Sequence, residues 1–183
     1  MFTKENTVLI LIDIQGKLAQ LMYKKDDLFN ALQTLIRGMK ILDIPVLWVE
    51  QIPDKLGNTI PEVADLMKEL MPEVSPIAKK TFSCCANEEF MKKFKDVNRK
   101  QVLVAGIETH ICLYQTAVDL LGAGFEVQVV ADCVSSRTKG NKKLGIKRIV
   151  QAGGAATSTE MIIFELMKAA EGDAFRQMVK VIK

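Results

Sequence analysis

Cys112 stands where a thiol could be put to work. It follows a short apolar run, residues 102–105, then Gly106 and a polar turn, and it opens an amphipathic segment that continues to the stop signals Gly122 and Gly124. That order reads as strand, turn and helix with the thiol in the first helical turn, where unpaired backbone N–H groups favour an anionic sulfur. The chemistry this suggests is attack by sulfur on an acyl carbon, which needs a base for the thiol proton and donors for the oxyanion. Asp13, at the tail of the apolar run 8–12, could take the proton. Lys79 and its neighbour Lys80 compete to hold that carboxylate and to favour the thiolate by charge. His110, the sole histidine, precedes Cys112 by two positions, and on a helix their side chains diverge, so it reads as a turn residue rather than the base. Plainer roles exist for each: a buried Cys packing as a small apolar group, a strand-end Asp acting as a cap, a solvated Lys. The thiolate reading predicts that Cys112 alkylates faster at neutral pH than Cys84, Cys85 or Cys133.

The elements that must position these residues are legible as alternation. Apolar runs at 8–12, 45–49, 75–79, 102–105, 126–131 and 155–157 read as strands, the first continuous enough to be covered on both faces. Helical spacing fills the intervals: Leu28, Leu32, Leu35, Ile36 and Met39, then residues 62–71, 87–94 behind the N-cap Asn87, 141–151, 160–170 and 174–182. Strands alternating with helices imply a three-layer α/β/α domain, doubly wound and Rossmann-like, on a six-stranded parallel sheet. Such sheets bind ligands beyond the carboxyl ends of their strands, where strand order reverses. Asp13, Glu50-Gln51, Lys79, Cys112 and Asp132 all fall at or just after such ends.

With 183 residues the chain suits one domain, 1–183, with a core that needs no metal or disulfide. A net charge of +3 spread along the chain points to neither nucleic acid nor membrane as partner. Four cysteines do not form a disulfide framework, no signal peptide is evident, and no apolar stretch approaches the roughly 18 residues of a span; a cytoplasmic protein is expected. A dinucleotide fingerprint is missing after the first strand, where Ile14-Gln15-Gly16-Lys17 offers one glycine.

The segments Leu9-Ile-Leu-Ile-Asp-Ile-Gln15, Lys79-Lys-Thr-Phe-Ser83, Val104-Ala-Gly-Ile-Glu-Thr-His-Ile-Cys112 and Val130-Ala-Asp-Cys-Val-Ser-Ser-Arg137 resemble the isochorismatase-like cysteine hydrolases, as does 152–160. The resemblance runs in order from about residue 7 to 181. It implies a catalytic triad of Asp13 (base), Lys79 (electrostatic partner) and Cys112 (nucleophile), and it prefers Lys79 to Lys80 because relatives place the lysine four residues before the serine that Ser83 matches. It further implies a cis peptide between Ile107 and Glu108, with the backbone amides of Glu108 and Cys112 forming the oxyanion hole. Nicotinamidases of this group carry a histidine-rich metal site after the second strand; Glu50-Gln-Ile-Pro53 stands there, so no metal and no cofactor are expected. Retention of Cys112 implies an amide or related C–N bond in a small molecule, cleaved through a thioester. Gln51 and Phe82 are candidates for the substrate wall, as a polar contact and an apolar one. Relatives are commonly oligomeric, so a homo-oligomer is expected. A member that keeps the fold as a non-catalytic binding or scaffold protein is the alternative.

Overall fold

Runs of β-branched and leucine side chains long enough for five or six residues, separated by amphipathic stretches, can bury both faces of a sheet only if helices cover each side. In the computed structural model, which describes residues 1–182, that is the arrangement. The strands β1 (Thr7–Ile12), β2 (Val46–Gln51), β3 (Ile77–Lys79), β4 (Gln101–Ile107), β5 (Glu126–Ser135) and β6 (Ala155–Thr157) pair in parallel in the order β3-β2-β1-β4-β5-β6. The helices are α1 (Gly16–Gln20), α2 (Lys25–Ile41), α3 (Pro53–Leu56), α4 (Pro61–Leu70), α5 (Glu88–Val97), α6 (Tyr114–Gly122), α7 (Lys139–Gln151), α8 (Thr159–Met167) and α9 (Gly172–Ile182).

Alternation along β1 sorts the two cores. Leu9 and Leu11 join Leu32 and Ile36 of α2, Val63 of α4 and Ile163 of α8 on one face. Val8, Ile10 and Ile12 join Phe90 and Phe94 of α5, Leu120 of α6 and Ile149 of α7 on the other. The order reverses between β1 and β4, so the crevice of a doubly wound sheet opens above Asp13 and the turn after β4.

Several boundaries differ from the expectation. β3 begins at Ile77, because Pro76 has no N–H for the ladder. β2 continues through Glu50 and Gln51, which places both inside the strand. β5 runs on to Ser135, so Asp132 does not end a strand; it is exposed within β5, and its Oδ1 accepts the Thr159 N–H at 2.9 Å. α7 and α8 begin one or two residues early because Thr138 and Ser158 cap them through their hydroxyls. Asn87 caps α5 as expected, accepting the Phe90 N–H at 2.8 Å.

Candidate active site

Three strand ends converge at the crevice. β1 is buried along its whole length, and Asp13 continues its ladder by donating its N–H to the Val49 carbonyl at 3.1 Å. Asp13 then adopts φ 55°, the left-handed region that Asp tolerates better than bulkier residues, and the chain turns into α1. Two strands away, Lys79 ends β3 opposite Gln51. Its side chain runs inward, and Nζ donates to Asp13 Oδ2 at 2.8 Å, to Thr81 O at 3.1 Å and to Gln51 Oε1. All three ammonium hydrogens therefore have acceptors. A carboxylate 3% exposed and a lysine 1% exposed coexist here because each supplies the other's missing charge.

The turn that carries Cys112 passes over the end of β1. Gly106 has φ 123°, and a Cβ there would lie 2.0 Å from the Ile12 carbonyl oxygen, so no other residue allows this approach. The peptide bond from Ile107 to Glu108 is cis, as the resemblance implies. Thr109–Leu113 forms a π-helical turn ahead of α6, which corrects the simple helix expected at Cys112. α7 packs against it so closely that a Cβ on Gly145 would meet the Thr109 carbonyl oxygen at 2.6 Å. Thr116 Oγ1 ties the turn to the loop after β3, donating to Cys112 O at 2.8 Å and accepting the Cys84 N–H at 3.0 Å.

The resting charge state departs from the sequence reading. Burial, then the Asp13 carboxylate, push the Cys112 thiol up to about 12, against the opposing pull of Lys79. A helix start favours a thiolate only where solvation and neighbouring anions do not outweigh it, and here both do. Cys84 reaches about 12 and Cys85 about 11, both through burial first. Burial and the carboxylate therefore favour a neutral thiol at rest, against the helix start, and since all four cysteines are pushed up, the relative labelling of Cys112 turns on access as well as on charge. Burial also raises Asp13 above its ordinary 3.8, with Lys79 opposing. Among the described residues, Asp13 Oδ1 and Thr109 Oγ1 are the buried side-chain oxygens without a hydrogen-bond partner. Ultraviolet thiolate absorbance at neutral pH, taken as a difference against Cys112→Ala, is expected to show no thiolate at Cys112; a full thiolate signal would contradict this charge state.

The other candidates fall in distinct places. Gln51 is buried with both ends of its amide engaged, Oε1 by Lys79 and Nε2 donating to Lys80 O at 2.8 Å. Lys80 itself is exposed. Phe82 is 56% exposed in the loop after β3, outside the core. That loop also bounds a cavity of about 320 Å³ with Ile52, Pro53, Lys79, Thr81 and Asn87. The Glu108 carboxylate turns away to Arg137, and His110 Nδ1 meets Ser136 Oγ at 3.0 Å, a structural contact as expected. Gln15 was not singled out in the sequence, and Glu50 was noted there only as a strand end. Gln15 holds the Gln51 N–H at 2.6 Å and donates to Gly57 O at 2.6 Å, and Glu50 holds Thr59 through its N–H and hydroxyl. Gln15 closes the first motif quoted above, and that was its only signal.

Residues 7–161 match the family described as Isochorismatase domain. The secreted isochorismatase effector Isc1 of Phytophthora sojae is 34% identical over 181 residues, 97% of this chain and 85% of that protein. The structure titled MAR1 ribonuclease from Caenorhabditis elegans superimposes with a TM-score of 0.90 at 31% identity, over 99% of this chain and 91% of that one. The Escherichia coli YcaC gene product, titled an octameric hydrolase of unknown specificity, shares the fold at 23% identity and a TM-score of 0.91, over 99% of this chain and 88% of that one.

Proposed function

This chain belongs to the isochorismatase domain family, and from that premise we propose that it is a metal-independent cysteine hydrolase opening an amide or related C–N bond in a small molecule. The observation that carries the reading is the division of labour on Asp13: Oδ2 is held by Lys79 and Oδ1 is left without a partner, while the same carboxylate acts on the Cys112 thiol. Sγ of Cys112 attacks the carbonyl carbon as its proton passes to Asp13. The oxyanion is received by the Glu108 and Cys112 amides, and Lys79 keeps the carboxylate oriented and charged between turnovers. Collapse expels the amine, which takes the proton from Asp13 and leaves a thioester on Cys112. Water then attacks the thioester, giving its proton to Asp13; the thiolate leaves and recovers that proton, and the acid departs.

Gln51 serves this site by anchoring Lys79 rather than by touching substrate, since its amide is already engaged at both ends. We assign Phe82, exposed in the loop after β3, the part of an apolar wall for the substrate. The name of the nematode relative invites an RNA substrate. Buried neutral thiol and carboxylate suit an acyl carbon better than a phosphodiester, and the +3 charge forms no block along the chain. Assembly into homo-oligomers fits the octamer of the bacterial neighbour. No helix among the described residues is long and apolar enough to cross a membrane. A relative named as secreted shows that the family itself does not fix a compartment.

The test is ammonia release across a panel of small amides, with a labelled RNA as a separate arm and mass spectrometry to trap an acyl group on Cys112. RNA cleavage with no amide turnover and no acyl adduct overturns the reading. A second expected outcome concerns metal. Glu50 is committed to Thr59 and Gln51 to Lys79, and among the described residues no three His, Cys, Asp or Glu side chains gather as a ligand set. Dialysis against a chelator should leave turnover unchanged; loss that zinc restores would overturn metal independence.

A further inference from the structure

Glu108 and Arg137 form a clamp at the crevice. The Glu108 carboxylate is buried, and Arg137 serves it twice: its backbone N–H donates to Oε2 at 3.0 Å, and its Nε lies 3.2 Å from each oxygen. A neighbouring contact, His110 to Ser136, ties the same two segments together. The register of the sheet makes these contacts matter. β4 and β5 pair regularly up to Val104 and Val129, and then the register slips to Gly106–Val134 and Ile107–Ser135. Past the slip the regular ladder no longer sets how the end of β4 lies against β5. Two paired positions and the clamp do so instead. The turn they hold is the one that carries the Glu108 and Cys112 amides, and oxyanion donors act only within tenths of an ångström of their place. Arg137 keeps 55% of its side chain in solvent, so its loss need not open the core.

We infer that Arg137 is a positioning residue: by holding the Glu108 carboxylate it sets the turn whose amides receive the oxyanion. The inference rests on the cysteine hydrolase reading of the site. Its test compares two probes of the same sulfur. Iodoacetamide alkylates Cys112 by displacing iodide at a saturated carbon, with no oxyanion formed. p-Nitrophenyl acetate transfers its acetyl group to Cys112 through a tetrahedral oxyanion and releases p-nitrophenolate. Site-resolved mass spectrometry, with Cys112→Ala as blank, separates Cys112 from the other thiols.

Arg137→Ala is expected to slow acylation by about tenfold or more while alkylation stays within about twofold. Arg137→Lys should recover part of the loss, and the double variant Glu108→Gln with Arg137→Ala should be no slower than Arg137→Ala alone. Both rates falling together, or neither falling, would overturn the inference, since a general loss of structure or of thiol reactivity does not distinguish the probes. Single effects that multiply in the double variant would also overturn it, because Arg137 would then act on the acyl group directly. Absence of acylation at Cys112 in the unmodified chain removes the hydrolase reading and the inference together. Acylation there with an unchanged ratio in Arg137→Ala removes the inference alone.

Discussion

Cys112→Ala should lower amide turnover by roughly five orders of magnitude, because under the proposed mechanism the site then retains only what binding and the oxyanion donors provide. The fold should survive: the thiol is a small buried group, and shortening it leaves a space costing about 1 kcal/mol. Cys112→Ser is expected to fall nearly as far. A hydroxyl is a weaker nucleophile than a thiol beside the same carboxylate, and nothing in the site compensates. Turnover of Cys112→Ala within tenfold of the unmodified protein, on an amide the latter cleaves, would remove sulfur from the mechanism. Thermal melting of both variants separates lost chemistry from lost structure.

How much of this was legible in the sequence depends on the range over which each feature is determined. Asp13 stood out because a carboxylate closing a fully apolar run has few places to go except a sheet's carboxyl edge. The parallel, doubly wound character of the sheet followed from the alternation of strands and helices, whereas the order β3-β2-β1-β4-β5-β6 did not, since alternation alone leaves open on which side of β1 each later strand adds. α1 and α3, of five and four residues, are too short for any periodicity to announce them. The extension of β5 to Ser135 was hidden because Asp132 and Ser135 look like loop residues, and their strand geometry comes from pairing across the slipped register with β4 and from capping α8. Gln51 was a candidate substrate contact in the sequence, and its bonds to Lys79 and Lys80 O were not legible there, because they depend on the register that sets Lys79 opposite it. For Cys112 the local helix start was visible in the sequence, while the burial and the carboxylate that oppose it arrive from elsewhere in the chain.

Breaking the Asp13–Lys79 pair one residue at a time should be the most damaging change for stability. Lys79→Ala leaves a carboxylate 3% exposed without its cation, and Asp13→Ala leaves a buried ammonium without its anion; each is expected to cost about 3–5 kcal/mol in urea unfolding. The double variant Asp13→Ala with Lys79→Ala should cost clearly less than the sum, since it strands no charge. The deficit of Lys79→Ala should also shrink as the solution is made acidic, because Asp13 can then take a proton and escape its unpaired charge. Asp13→Asn keeps the shape but cannot accept the thiol proton and also leaves Lys79 without its anion, so its turnover, expected to fall roughly 10³-fold, is read on protein that thermal melting shows to be folded. The pH profile carries the same signature. In the proposed mechanism Asp13 acts as a carboxylate, and burial raises it above its ordinary 3.8, so kcat/KM should be lost as pH falls through a midpoint above that value. In Asp13→Asn the acid limb should vanish from the residual activity. An unchanged limb in that variant would assign the titration to another group, and additive stability losses in the double variant would mean that the two charges do not depend on each other.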